Sequence, residues 1–149
     1  GGRVEGSRPS RGGIRATITA AGGKNIPPAE IESRLKFSHY ISDAVVIGDK
    51  RKYLTCLIMI DQENVEKYAQ DHKAPFSDFR SLCRAPEVVE LIRREVDQVN
   101  REFARVEQIK DFRLIDVLLT AEDEELTATM KLKRATVEKR HKALIDSMY

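Results

Sequence analysis

The sequence has no tryptophan, only two cysteines, and no apolar run close to the roughly 20 residues that a membrane-spanning helix requires. Cys56 and Cys83 lie far apart, and no group of cysteines or histidines has metal-ligand spacing, so we expect reduced thiols and no bound metal. No secretory leader is visible, and a cytoplasmic protein is therefore expected. These absences argue against a transmembrane segment, a disulfide-stapled secreted domain and a zinc module.

The sequence also lacks an excess of charge of either sign. Lysine and arginine number 26, and aspartate and glutamate number 24, which gives a net charge of +2. Four of the arginines fall within residues 1–18, so the rest of the chain is close to neutral. Because a nucleic-acid-binding domain would carry a basic face, this distribution argues against nucleic acid as a partner.

The remaining composition is that of one folded domain with a short tail. Hydrophobic residues make up 41% of the chain and charged residues 34%, which is typical of a globular domain with a charged surface. Residues 1–13 are rich in glycine, serine, proline and arginine, and we interpret them as a disordered tail or a cloning remnant. The folded domain is predicted to span residues 14–149.

Hydrophobic periodicity predicts an α+β fold, in which helices flank a small central sheet of about three strands with an additional N-terminal strand or hairpin. The predicted strands cover residues 14–20, 41–48, 53–60 and 112–119. The predicted helices cover residues 28–37, 61–70 with Asp61 as the N-cap, 87–106 and 135–148, and residues 75–83 are expected to be a connecting piece. The second and third strands should pair as a hairpin, and the nearly uninterrupted apolar character of residues 53–60 predicts a central strand.

A glycine-containing string stands before the first predicted helix. Residues 21–32 read Ala-Gly-Gly-Lys-Asn-Ile-Pro-Pro-Ala-Glu-Ile-Glu. Gly22 and Gly23 permit a tight turn and let a ligand or partner approach the backbone, and the two prolines fix φ where a helix can begin. An ordinary loop-to-helix junction is the plainer interpretation of the same residues.

A second string precedes the last predicted helix. Residues 126–134 read Leu-Thr-Ala-Thr-Met-Lys-Leu-Lys-Arg. Hydroxyl groups and cations at a loop-to-helix junction can bind a phosphate or a carboxylate, and lysine suits a site that a flexible side chain must reach. The alternative is a short strand that leads into a solvated basic helix.

Taken together, the two strings resemble a known family. The first is similar to the segment that opens the small C-terminal domain of the AMP-forming acyl-CoA synthetases, in the acyl-CoA ligase, adenylation-domain and luciferase superfamily. The second is similar to that family's final core motif. The Gly-Gly-x-Asn-Ile and Glu-Leu-Thr-x-Thr-x-Lys forms resemble the long-chain fatty acyl-CoA branch, and the resemblance covers about residues 12–149.

The resemblance implies roles for individual residues of the second string. Lys131 falls on the family's catalytic lysine, and Lys133 is a competitor for that role two positions later. Thr127, Thr129 and Arg134 fall on positions that support phosphate or carboxylate contacts. The lysine would stabilise negative charge that develops on the reacting phosphate and carboxylate.

The same resemblance implies roles near the N-terminus. Gly22, Gly23 and Lys24 would line the channel through which coenzyme A reaches the acyl group. Arg15 falls on the hinge about which the family's small domain rotates, although the residues around it depart from the family's pattern.

The activity that the resemblance implies is conversion of a fatty acid, ATP and coenzyme A to acyl-CoA, AMP and pyrophosphate. ATP and coenzyme A are then substrates, no cofactor is bound by this domain alone, and Mg²⁺ is expected in the family's large N-terminal domain, which has no counterpart in these residues. We therefore expect that N-terminal domain as the partner, no turnover by this domain alone, and peripheral membrane association as an option for the full enzyme. The alternatives are a fatty acyl-AMP ligase without the coenzyme A step and a non-enzymatic α+β interaction domain.

Overall fold

The computed structural model describes residues 18–19, 25–49, 51–120, 122–127 and 131–149, with side chains from residue 27 onward. The expected tail at residues 1–13 lies outside these ranges, as does most of the strand expected at residues 14–20. Within them the α+β prediction is confirmed, because helices flank a three-stranded sheet and a two-stranded ribbon precedes the first helix.

Strands and helices alternate irregularly along the described chain. The strands are β1 (Ile18–Thr19), β2 (Asn25–Ile26), β3 (Ile41–Ile47), β4 (Leu54–Ile60) and β5 (Ile109–Leu114). The helices are α1 (Pro28–Leu35), α2 (Gln62–Asp71), α3 (Phe79–Arg84), α4 (Pro86–Asn100), α5 (Arg134–Arg140) and α6 (Lys142–Asp146). Among the described residues, every helix is too short or too polar to cross a lipid bilayer.

β4 is the central strand of the sheet, whose order is β3–β4–β5. β3 and β4 pair antiparallel, which confirms the predicted hairpin, while β5 joins the other edge in parallel after the crossover through α2, α3 and α4. Every residue of β4 is buried, which confirms the prediction of a strand covered on both faces.

The two faces of this sheet carry different cores, because successive side chains of a strand point to opposite sides. One face, here called the helix face, is covered by α1 to α4, and its core includes Ile31 and Ile92. The other face, here called the hairpin face, is covered by residues 125–127 and 131–133 with α5 and α6, and its core includes Leu57 and Leu132.

The first two helices begin where the sequence predicts. Pro27 is the extended N-cap of α1, and Pro28 is its first residue, where a missing N–H costs nothing. α2 follows Asp61, whose carboxylate accepts the backbone N–H of Asn64 at 3.0 Å and so caps the helix as predicted. α1 ends at Leu35, slightly before the predicted end at residue 37.

The prediction for residues 75–83 was wrong. These residues are not a plain connection, because α3 begins within them at Phe79. A capping box starts this short helix: the Asp78 carboxylate accepts the backbone N–H of Ser81, and the Ser81 hydroxyl accepts the backbone N–H of Asp78.

The helix predicted at residues 87–106 is α4, and it ends at Asn100 rather than at residue 106. The Asn100 amide holds the start of β5 instead, since its Nδ2 donates to the carbonyl of Ile109 at 2.9 Å and its Oδ1 accepts the N–H of Ile109 at 2.7 Å. Gln108 Nε2 then donates to the carbonyl of Asn100 at 3.0 Å, one of the groups that a helix end leaves unpaired.

Two further predictions near the C-terminus need correction. The strand expected at residues 112–119 lies at Ile109–Leu114, and part of the apolar run belongs to the following loop, where Val117 is 46% exposed. The helix expected at residues 135–148 is split into α5 and α6 at His141, because this residue leaves helical geometry while its ring bonds to a buried acid on the hairpin face.

Candidate functional site

Two short segments on the hairpin face pair with each other and bring the second sequence motif into one structure. The backbone N–H of Thr127 donates to the carbonyl of Lys131 at 2.8 Å, and the backbone N–H of Lys133 donates to the carbonyl of Glu125 at 2.7 Å. Residues 125–127 and 131–133, which these hydrogen bonds join, are called the lysine hairpin from here on. Its two arms are therefore fixed to each other by main-chain hydrogen bonds.

The alternation of side chains along the hairpin decides which residues reach solvent. Leu126 and Leu132 form an antiparallel bridge between the two hydrogen-bonded pairs, and both are buried in the core of the hairpin face. Lys131 and Lys133 flank Leu132 and so point to the opposite side, where both are exposed.

Lys131 combines a fixed backbone with an accessible charge. Its backbone N–H donates to the Thr127 hydroxyl at 3.1 Å, and its carbonyl accepts the Thr127 N–H. The ammonium makes no ion pair with another residue in the described part of the chain. The structure therefore holds the base of this side chain and leaves its charged end accessible to a ligand.

Asp43 in β3 connects the sheet to the lysine hairpin. The residue is only 4% exposed, and its Oδ2 accepts the backbone N–H of Leu132 at 2.7 Å. Its Oδ1 accepts the backbone N–H of Ala44 at 2.8 Å, and the Lys36 ammonium lies 3.7 Å from the same oxygen. Two N–H donors and a nearby cation compensate a carboxylate charge that would otherwise be costly to bury.

Arg134 and Glu32 form a polar link, here called the edge brace, around the outer edge of β3. The Arg134 guanidinium pairs with the Glu32 carboxylate of α1 and donates to the carbonyl of Val46 at 2.6 Å. Glu32 also accepts the N–H of Val46 at 2.8 Å, so both main-chain groups that Val46 presents at the sheet edge are satisfied. Because α1 packs on the helix face and α5 on the hairpin face, the edge brace joins the two faces.

The electrostatics of the edge brace are set by burial and by the opposite charge. Burial raises the pKa of the Glu32 carboxyl above its ordinary value of 4.5, and the Arg134 guanidinium offsets part of that rise. The Glu32 carboxylate therefore depends on Arg134 to stay ionised at low cost in a mostly buried place.

Glu125 holds the other arm of the lysine hairpin against the C-terminal helices. The residue is 6% exposed, its Oε2 lies 2.7 Å from His141 Nε2, and its Oε1 lies 3.8 Å from an Arg140 guanidinium nitrogen. The acidic run at residues 122–125 thus ends in a buried acid that fixes the break between α5 and α6.

The residues expected to bind phosphate or carboxylate do not all lie at one place. Thr127 and Lys131 lie together in the lysine hairpin, where they bond to each other. Arg134 is engaged in the edge brace, and its contact with a substrate stays a prediction. Thr129 lies outside the described residues, and its role stays a prediction.

The N-terminal candidates also lie outside the described residues. Gly22, Gly23 and Lys24 belong to the segment that joins β1 to β2, which pair antiparallel, and Arg15 precedes β1. Their roles at a coenzyme A channel and at a hinge stay predictions. The helix that follows this segment, α1, is nevertheless tied by the edge brace to the helix that follows Lys131.

Sequence reasoning missed Asp43 and Glu125, although both carry a signal. Asp43 is the one charged residue within the otherwise largely apolar run of β3, and a charge in such a position requires a partner when it is buried. Glu125 closes an acidic run and directly precedes Leu126. These signals predict buried acids but do not identify the groups that bind them.

Thiol and metal chemistry have little support in the described residues. Cys56 and Cys83 are both buried and free, and burial raises the pKa of the Cys83 thiol to about 12 and that of Cys56 well above its ordinary range. The described ranges contain no group of three or more histidine, cysteine, aspartate or glutamate side chains arranged to hold a metal ion. The exposed cations of Lys131 and Lys133 are the groups of the lysine hairpin that can act on an anionic ligand.

Comparison with known proteins gives this arrangement a context. The family model of the AMP-binding enzyme C-terminal domain matches residues 15–149. The long-chain-fatty-acid–CoA ligase FadD15 of Mycobacterium tuberculosis is 36% identical over 133 residues, which cover 89% of this chain and 22% of that protein. Human long-chain-fatty-acid–CoA ligase ACSBG1 is 31% identical over 157 aligned positions, which cover 93% of this chain and 22% of that protein. The chain thus spans about a fifth of the length of these relatives.

A solved structure shares the fold. The adenylation domain of a carboxylate reductase from Mycobacterium chelonae matches with a TM-score of 0.68 at 22% identity, over 89% of this chain and 19% of that one. At this level of identity the similarity concerns the fold alone.

Proposed function

The chain belongs to the AMP-binding enzyme C-terminal domain family, and from that membership we propose that it is the C-terminal domain of a long-chain fatty-acid–CoA ligase. Two relatives, 36% and 31% identical, are named long-chain-fatty-acid–CoA ligases, which supports the fatty-acid branch. In this proposal residues 14–149 form a lid that acts on substrates held by the larger N-terminal domain of the ligase. The observation that carries the proposal is the exposed Lys131 on an anchored hairpin.

Lys131 acts in the first of two reactions. A fatty-acid carboxylate attacks the α-phosphorus of ATP, and the bond from that phosphorus to pyrophosphate breaks, which leaves an acyl-adenylate. The Lys131 ammonium stabilises the negative charge that develops on the carboxylate and the phosphate as they meet, without transferring a proton. Thr127 and Thr129 support that anion through their hydroxyl groups.

The glycine segment acts in the second reaction. The thiol of coenzyme A attacks the acyl carbonyl, the bond from acyl carbon to AMP breaks, and the thiol proton is released. Gly22 and Gly23 lie beside the pantetheine arm, because residues without a Cβ let the arm pass close to the backbone. The lid rotates between the two reactions, and Mg²⁺ and the nucleotide belong to the large domain. A cytoplasmic location stays a prediction.

The test joins this chain to the large domain of a related ligase, because we expect the isolated domain to be inactive. ATP–pyrophosphate exchange measures the first reaction, and thioester formation from supplied acyl-adenylate measures the second. Lys131→Ala should lower the kcat of the first reaction by about 100- to 1,000-fold, the range for loss of one transition-state charge contact, and leave the second within about threefold.

Lys133→Ala is the matched control, since it removes another exposed cation from the same side of the same arm. It should leave both reactions within about threefold of the unsubstituted protein, because Lys133 is exposed and in this proposal takes no part in either reaction. An equal loss in the two variants, or full exchange activity of Lys131→Ala, would contradict the proposal. Accumulation of acyl-adenylate without any thioester would instead identify a fatty acyl-AMP ligase.

A further inference from the structure

We propose that Asp43 is a positioning residue for Lys131. In this inference the buried carboxylate of β3 sets the place of the hairpin arm from which the Lys131 ammonium reaches the reacting phosphate. It rests on the proposed role of Lys131 and adds to it a residue that does not itself touch the substrate.

The geometry of the lysine hairpin creates the need for such a residue. Leu126 and Leu132 face each other as the pair that does not exchange main-chain hydrogen bonds, so the N–H of Leu132 points away from the other arm. A buried N–H without an acceptor is strongly disfavoured. Asp43 Oδ2 supplies that acceptor at 2.7 Å, one residue away from Lys131 along the chain.

Asp43 faces the hairpin through the ordinary alternation of β3, which it shares with Val45 and Ile47, and a bulge before it turns only Ile41 to the opposite face. The register of β3 against β4 shifts between Ile41 and Asp43, so that Ser42 is an extra residue in the strand. Ile41 consequently packs in the core of the helix face, although Val45 and Ile47 pack on the hairpin face. Without the bulge, strict alternation would place Ile41 and Asp43 on the same side of the sheet.

The carboxylate is also held against rotation. Oδ1 accepts the N–H of Ala44 and Oδ2 accepts the N–H of Leu132, so any turn of the group breaks at least one hydrogen bond. An asparagine at this position offers one acceptor oxygen, and its NH₂ group would face a second N–H donor. A carboxylate therefore fits this place better than an amide, and its bond to the Leu132 N–H restrains the arm that carries Lys131.

The expected effect on the reaction follows from the sensitivity of catalysis to placement. A displacement of about 1 Å in a reacting group can cost on the order of 100-fold in rate. Loss of the Asp43 link frees the Lys131 arm, so the first reaction should slow while the second, in which Lys131 takes no part, should not.

The experiment uses the chain joined to the large domain of a related ligase, with the same two assays. Asp43→Leu should lower the kcat of ATP–pyrophosphate exchange by about 10- to 100-fold, with the KM for ATP and the thioester step within about threefold. Asp43→Asn should lower the kcat of ATP–pyrophosphate exchange by only about three- to tenfold, because it keeps one of the two acceptor oxygens. Amide exchange at Leu132, measured in the 149-residue chain, should become about tenfold faster in Asp43→Leu.

Val65→Ala is the control for a merely structural effect, since Val65 is fully buried in the core of the opposite face. It should lower the thermal midpoint and leave ATP–pyrophosphate exchange within about twofold, because the hairpin is untouched. If the Asp43 variants slow both reactions equally, or slow exchange no more than Val65→Ala at the same loss of stability, the inference is wrong. If Asp43→Leu does not fold, Asp43→Asn decides by the same criteria.

Lys131→Ala in the same series separates the two proposals. Loss of exchange activity in Lys131→Ala together with full activity in Asp43→Leu would overturn the positioning role alone. Full exchange activity in Lys131→Ala would overturn the proposed function, and the positioning role with it.

Discussion

The helix face and the hairpin face of the sheet are held together by different kinds of interaction. On the helix face, α1 to α4 cover one continuous cluster of apolar side chains. On the hairpin face the apolar cluster is joined by polar groups, because the three buried polar or charged side chains of the described residues, Asp43, Thr55 and Glu125, all bond there.

This difference separates stability from placement. Apolar burial is non-directional and scales with the area removed from water, so the helix face stabilises the domain without demanding one exact arrangement of its surface. Buried hydrogen bonds are directional and are costly to leave unmade, so the hairpin face favours one position of each polar group. Lys131 stands on the face where position is specified most strongly.

Truncation of core residues should show the largest difference in stability between the helix face and the hairpin face. Ile92→Ala on the helix face should lower the free energy of unfolding by about 4 kcal/mol, because Ile92 is completely buried and its truncation leaves a cavity in the core. Leu132→Ala should cost about 2 kcal/mol, since the hairpin lies at the surface and can settle into the space. Urea unfolding measures both.

The control for this pair is Val117→Ala, which removes an apolar group that is already 46% exposed and should change stability by less than about 0.5 kcal/mol. A larger loss for Leu132→Ala than for Ile92→Ala would show that the hairpin face, and not the helix face, dominates stability.

Loss of the edge brace, which joins the two faces, should have a smaller effect on stability. Arg134→Met should lower the free energy of unfolding by about 2 kcal/mol at pH 7, because it leaves the mostly buried Glu32 carboxylate without its cation. Lys139→Met is the matched control on the same helix, and removal of that exposed cation should cost less than about 0.5 kcal/mol.

The pH dependence of the Arg134→Met effect has a definite sign. The pKa of the Glu32 carboxyl is raised in the folded state by burial, and loss of Arg134 should raise it further. A carboxyl with a raised folded-state pKa contributes stability that is present below its ordinary pKa of 4.5 and is lost as pH rises through the folded value. The deficit of Arg134→Met should therefore be largest near neutral pH and shrink as the pH falls toward 4.5, and a constant deficit would argue against Glu32 as its source.

Local sequence patterns were enough to predict the parts of the fold that local physics controls. β3 and β4 lie within a residue of their predicted ends, because apolar runs bounded by a polar turn indicate a hairpin. α1 and α2 begin at the predicted residues, since consecutive prolines and the N-cap Asp61 act on their immediate neighbours. The end of α4 at Asn100 was missed, because it depends on side-chain hydrogen bonds to the backbone of the following strand.

In the candidate site, too, the local motif could be predicted from the sequence and its contacts to other parts of the chain could not. Lys131 could be picked out because it belongs to a short motif that is contiguous in sequence. Its supports could not, because Asp43 lies 89 positions from Leu132, and Glu32 lies 102 positions from Arg134. A single sequence contains no signal that pairs groups so far apart, although a lone acid in an apolar strand does indicate that some partner exists.

Substitutions at helix N-caps should change stability least, and they compare the two faces at single residues. On the helix face, Asp61 caps α2, and Asp61→Ala should lower the free energy of unfolding by about 1 kcal/mol. On the hairpin face, the N-cap of α5 is Lys133, which has an extended backbone but makes no side-chain cap bond within the described residues. Lys133→Asn should therefore stabilise the domain by about 0.5 to 1 kcal/mol, because an asparagine oxygen can accept one of the unpaired N–H groups of the first turn.

Thermal unfolding of Asp61→Ala and Lys133→Asn, with Lys133→Ala to account for the lost charge, shows whether a better N-cap can stabilise the hairpin face. A gain in Lys133→Asn over Lys133→Ala would mean that local stability at the start of α5 has not been maximised beside Lys131, as is common where a site competes with folding. If Lys133→Asn and Lys133→Ala are equally stable while Asp61→Ala loses stability, the first turn of α5 is already satisfied by other groups. The contrast between the two faces would then rest on their buried polar groups alone.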